Sequence, residues 1–187
     1  MPMRLALVAA CLLTLQLAPD LGWGAAVPGA IQAEDYDAGG EGVGYHDTTA
    51  GNVGSVYRFD DVDIETNDLG GYHVSYVSPG EWLRYTVSAT SAIRARVQYR
   101  VSSGAAAGPF SWRLSLDDRT VDVQNGYPTG GWWTYAYATT ALAFHLPDGV
   151  HTLRVDFIEG EFNLDALVVM EETAAPPPYL DPGQPIT

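Results

Sequence analysis

The sequence predicts an all-β protein, a single β-sandwich of the jelly-roll kind, on three observations. Several segments alternate apolar and polar residues with period two, the signature of a strand with one face buried and one in water. Turn-forming residues punctuate these segments at short intervals. No window sets apolar residues at helical spacing. Short strands at such spacing without helices suggest a sandwich or jelly roll.

The strands follow in order. Residues 83–87 alternate Leu83, Tyr85 and Val87 with Arg84 and Thr86. Residues 93–101 alternate without a fault and put Arg94, Arg96, Gln98 and Arg100 on one face, expected to meet water. Residues 112–116 and 153–157 repeat the pattern. Between them lie Ser78-Pro79-Gly80, Ser102-Ser103-Gly104, Asp117-Asp118, Pro128-Thr129-Gly130-Gly131 and Pro147-Asp148-Gly149, all turn chemistry.

The two ends fall outside this pattern. Residues 1–26 join a charged start at Arg4, an apolar run from Leu5 to Leu17 and small residues at Gly24-Ala25-Ala26, which reads as a secretory signal peptide. Its apolar run is too short for a bilayer span. The chain's one cysteine, Cys11, lies within it, so the mature domain is expected to carry no disulfide. Residues 174–187 open on Ala-Ala-Pro-Pro-Pro and read as a Pro-rich linker or tail. Residues 27–173 remain as one domain.

Charge narrows the partners. Nine arginines, with no lysine, stand against 23 acids, for a net charge of −14. Nucleic-acid binding rests on basic side chains that displace counterions, so neither nucleic acid nor an anionic membrane is an expected partner.

Four groups of residues are candidates for chemistry. Gln32 and Glu34, two apart on an expected strand, and Asp165, an acid inside the apolar segment 163–167, offer oxygens of the kind calcium takes. The bland alternative is acids at a strand edge in water. Trp132 and Trp133 follow a glycine turn, and because neighbours on a strand face opposite ways, one is expected to leave the core. Tyr45 lies in the glycine-rich stretch 42–47, where burial looks difficult. Flat aromatics on such loops suit stacking on a sugar ring, or else they fill the core. Finally, the acidic run 60–65 reads as a solvated strand edge, though Asp63 and Glu65, or Glu81, could supply the carboxylate pair of a small glycoside hydrolase. His46, His73, His145 and His151 show no ligand spacing for zinc.

At these same residues the chain resembles the family 6 carbohydrate-binding modules. The resemblance rests on residues 27–37, 42–49, 51–54 with Tyr57-Arg58, Asp60-Asp61-Val62-Asp63-Ile64-Glu65, Gly70-Gly71-Tyr72, residues 79–87 around Gly80-Glu81-Trp82, Thr129-Gly130-Gly131-Trp132 and Phe162-Asn163-Leu164-Asp165. It implies a jelly roll that binds polysaccharide or its chain ends without catalysis. It also implies tethering to a glycoside hydrolase module; export is expected from the leader, and the module is expected to be a monomer. The family's cleft would fall on Tyr45 and Trp132, sandwiching a sugar, with Asn163 bonding its hydroxyls. A structural calcium ion would fall on Gln32, Glu34 and Asp165, with carbonyls from residues 52–58. A second site on the concave sheet face would involve Glu81. Trp133 stands where the family usually has a polar residue and Tyr135 where it has a second tryptophan, which leaves the platform open between Trp132 and Trp133.

Overall fold

The computed structural model describes residues 24–104 and 106–172. Thirteen strands among them form two sheets packed face to face, and their one helical turn is 3-10, at Ala33–Asp35. The expected leader up to residue 23, with Cys11, and the tail from residue 174 lie outside the described residues.

The first sheet runs β1 (Ala25–Val27), β6 (Trp82–Ala89), β12 (Gly149–Glu159), β8 (Phe110–Leu116) and β9 (Arg119–Gly126), with β3 (Tyr45–His46) also on β6. The second runs β10 (Gly131–Thr139), β7 (Ile93–Ser103), β13 (Asn163–Glu171), β5 (Tyr72–Val74) and β4 (Ile64–Thr66). To it are added β2 (Gly29–Gln32) on β13 and β11 (Phe144–Leu146) on β7. The sandwich expected from sequence is observed. Its start is earlier than expected: Ala25 and Ala26, assigned to the leader, pair with Val87 and Ser88 of β6.

Alternation places the core as expected in β6, where every second residue from Leu83 to Ala89 is buried. Between the sheets, Trp112 stacks on Phe110 and Phe162 with ring centres 5.9 and 5.3 Å apart and meets the edge of Tyr99 at 5.1 Å. These aromatics carry both area and geometric preference. In β7 the polar face changes character along its length. Arg94 stays in water, whereas Arg100 is buried at 7% exposure, contrary to expectation. Asp68, Asp165 and the ring of Tyr135 cover it.

The acidic run 60–65 is not a solvated edge either. Asp60 and Asp61 accept the hydroxyls of Tyr36 and Tyr45, and Asp63 is buried at 4% exposure, accepting the Val53 amide at 2.6 Å. Burial pushes the Asp63 carboxyl up.

Candidate functional site

A cleft of about 430 Å³ opens where β10 begins, in the size range of small-ligand sites. Three segments and Glu65 build it. The first is Trp132-Trp133. Pairing of β10 with β7 runs Gly131 to Ser103 and resumes at Tyr135 with Ser102, so residues 132–134 are thrown out of the ladder. The strand alternation expected there is broken, and both tryptophans leave the core, at 42% and 53% exposure. Ser102 and Asn163 grip the Trp132 carbonyl, donating at 2.6 and 2.9 Å. Its ring lies over Gly104, where a Cβ would come within 2.7 Å of it. Trp133 is pinned by its indole N–H, which donates to the Thr66 carbonyl at 3.1 Å.

The second segment is Tyr76–Ser78. Tyr76 adopts the left-handed backbone region, φ 51°, which turns its ring outward to 57% exposure. Its hydroxyl donates to Glu65 across the cleft at 3.4 Å. The third is Glu161–Asn163. Phe162 stacks on Phe110 at 4.7 Å, so the cleft floor continues into the aromatic core.

Below the cleft lies a buried polar cluster. The His73 ring is wholly buried and hydrogen-bonds the Tyr135 hydroxyl through Nδ1, while its Nε2 lies 3.8 Å from Glu65. Desolvation holds the His73 pKa below its ordinary value, which favours the neutral ring. Arg100 stacks 3.6 Å over Tyr135 and donates to both oxygens of Asp68 at 2.8 and 3.0 Å.

Of the expected sugar contacts, Trp132 and Asn163 come together here and Tyr45 does not. Tyr45 sits on the other sheet, 3% exposed, its ring edge-on to Tyr36 at 5.5 Å. Tightly packed backbone, not an open loop, surrounds it: a Cβ at Gly44 would lie 2.0 Å from the Asp37 carbonyl oxygen. It offers no open face, and the exposed tyrosine of the cleft is Tyr76. Asn163 is 3% exposed, and its amide donors serve Trp132 and Ser102, leaving its carbonyl oxygen to receive a hydroxyl. Glu65 joins the cleft. Glu81, the candidate for a concave-face site, is instead 4% exposed and ties down two loops, accepting from Thr48 N and Oγ1 and from Ser78 N. With Asp63 and Glu81 so engaged, the hydrolase alternative gains no support.

The expected calcium ligands divide. Gln32 and Glu34 do not share the strand face expected of them, because the strand ends at Gln32 and the 3-10 turn follows. Gln32 therefore faces outward and Glu34 inward, at 5% exposure. Glu34 Oε2 is buried without a hydrogen-bond partner among the described residues, and burial pushes its carboxyl up to about 7. An orphaned buried carboxylate oxygen fits a cation. Asp165, on a bulge of β13, accepts from Asn67 at 2.7 Å and lies 2.8 Å from Arg100 Nη1. Among the loop carbonyls, those of Val56 and Arg58 accept from Asn52 Nδ2, both at 3.0 Å.

The sequence profile of the carbohydrate binding module (family 6) matches residues 32–171, well over half of the chain. The chain belongs to that family. No curated protein matches it. Among solved structures, this module is similar to a family 6 module from Clostridium stercorarium in complex with cellobiose. The TM-score is 0.62 at 19% identity, over 81% of this chain and all of that one (100%). It is also similar to one from Clostridium cellulolyticum in complex with xylose (TM-score 0.54, 22% identity, 78% of this chain and 99% of that one). A β-1,3-glucan binding module from Bacillus halodurans gives TM-score 0.54 at 20% identity, over 78% and 97% of the two chains. At these identities the likeness carries the fold, and the module's own cleft must carry the rest.

Proposed function

We propose that this module is exported and holds a polysaccharide, or its chain end, without cleaving it. The sugar would lie in the cleft between Trp132, Trp133 and Tyr76. The observation that carries this reading is the cleft itself: three exposed aromatic rings, with the Trp132 backbone and the Trp133 indole held by hydrogen bonds, beside the acceptors Glu65 and Asn163. Rings of this kind stack on the apolar face of a sugar and need no rearrangement to do so. Family 6 relatives were solved with cellobiose and xylose, which supports a saccharide ligand here. A monomer tethered to a glycoside hydrolase module is the setting we infer. The test is retention on a panel of insoluble polysaccharides and a glycan array. Binding to at least one saccharide without release of reducing sugar is expected. Binding to none, or steady sugar release, sinks the reading.

We also propose a structural calcium ion held by Glu34 and Asp165 with carbonyls of residues 52–58, Gln32 taking no part. Such an ion would tie the entry of the chain to its last strand and satisfy the orphaned Glu34 oxygen. Calcium that binds only the folded chain at a hundred times its Kd stabilises it by about 2.7 kcal/mol. For a domain of this size that is on the order of 5–10 °C in Tm. Thermal melts in chelator and then in restored calcium are expected to differ by this amount, and the difference is expected to vanish in Glu34→Gln. No shift in the wild type removes the ion from this account.

A further inference from the structure

We propose that the cleft sorts saccharides by charge and hydrogen-bond polarity: it rejects uronates and sulfated sugars, accepts neutral ones, and gains from a protonated ring amine. This rests on the cleft being the sugar site, as read above, and names the class of ligand it takes.

The argument is an inventory of donors and acceptors. The donors that line the cleft are largely spent. Asn163 Nδ2 gives its hydrogens to Trp132 and Ser102, the Trp133 indole to Thr66, and the Tyr76 hydroxyl to Glu65. Two neutral side-chain donors remain, the Ser78 hydroxyl and the Trp132 indole N–H. The acceptors are ample: the carboxylates of Glu65 and Glu161 and the Asn163 carbonyl. A carboxylate can only accept, so a ligand must bring the hydrogens.

The charge count points the same way. Among the described residues no arginine or histidine lines the cleft, and the chain has no lysine to reach into it. Glu161 is met by a neutral partner, the Gly108 amide at 3.2 Å. The base beside Glu65 is His73, wholly buried and 3.8 Å away. Arg100 is turned below the floor and spent on Asp68 and Asp165. A uronate or sulfate entering the cleft would meet two carboxylates with no fixed cation to offset them, within the field of a chain of net charge −14. An ammonium group would instead meet those carboxylates, and the faces of Trp132, Trp133 and Tyr76 favour a cation as well.

The probes are two matched series of monosaccharides: glucose, glucosamine and glucuronate, and galactose, galactosamine and galacturonate. Binding is read by tryptophan fluorescence at a pH where the amine is protonated, with Trp132→Ala as the control that the signal comes from the cleft. In the series that binds, the amine is expected to be about two- to fivefold tighter than the neutral sugar. The uronate is expected to be at least about fivefold weaker than the neutral sugar. The amine's advantage should shrink in high salt, and it should shrink again in Glu65→Gln with Glu161→Gln. A uronate that binds as well as its neutral partner, or an amine advantage undiminished in the double variant, overturns the proposal while leaving the sugar site intact. No response from any of the six sugars, in a protein that is retained on a polysaccharide, overturns the charge sorting alone, whereas no retention on any polysaccharide removes the sugar site and the charge sorting with it.

Discussion

Trp132→Ala is expected to abolish retention on the polysaccharide that holds the parent protein while leaving Tm nearly unchanged, and Tyr76→Ala to do the same. Both rings are about half exposed, so their loss opens no cavity in the core. Central aromatic contacts of a binding site cost about 2 kcal/mol or more when truncated, roughly thirtyfold in affinity. Tyr45→Ala is the contrasting case. Its ring is 3% exposed and its hydroxyl serves Asp61, so removal should cost about 3–5 kcal/mol, as for other buried aromatics. That is on the order of 10 °C in Tm. Affinity measured well below the lowered Tm should survive. A folded Tyr45→Ala that no longer binds, beside a Tyr76→Ala that does, would reverse the assignment of the cleft.

The second large effect belongs to β7. Arg100→Leu is expected to destabilise the fold by about 3–5 kcal/mol, the range for removing one partner of a buried ion pair. The variant leaves Asp165, 4% exposed, with the Asn67 amide but without its arginine partner, and takes the guanidinium from the ring of Tyr135. Arg94→Leu makes the identical change on the same strand face, six residues earlier, where the side chain is 67% exposed and paired with Glu172. Exposed pairs contribute about 0–1 kcal/mol. Urea titrations of the two variants should therefore separate widely; equal midpoints would mean that the cluster below the cleft carries no net stability.

These contrasts mark where the sequence is legible. Alternation in residues 83–87 and 93–101 locates the central strands, because a strand's two faces are set by period alone. It does not reveal that Arg100 is buried, since what covers Arg100 arrives from Asp68, Tyr135 and Asp165 on other elements. The pair Trp132-Trp133 after two glycines is visible as unusual, and it does line the cleft. Tyr76 is invisible for a physical reason: its outward turn depends on a left-handed backbone at a non-glycine residue, which no pattern of polarity encodes. Tyr45 misleads in the opposite way, since glycines beside it mark close backbone packing as readily as an open loop. An extended chain would set Gln32 beside Glu34, and a single 3-10 turn undoes that spacing.

The excursion of residues 132–134 has a consequence for how such a binding surface can diversify. Pairing stops at Gly131 and Ser103 and restarts at Tyr135 and the adjacent Ser102, so the three residues between consume no register. Insertions, deletions or exchanges there leave the hydrogen-bond ladder from Tyr135 to Thr139 where it is. The grip on the platform comes from β7 and β13, through Ser102 and Asn163, and it holds a backbone carbonyl that any residue at position 132 would present. The sandwich thus behaves as a socket and the excursion as an interchangeable bit. New ligand preferences can be acquired in three codons without renegotiating the fold, and the same three positions are where a designer would begin.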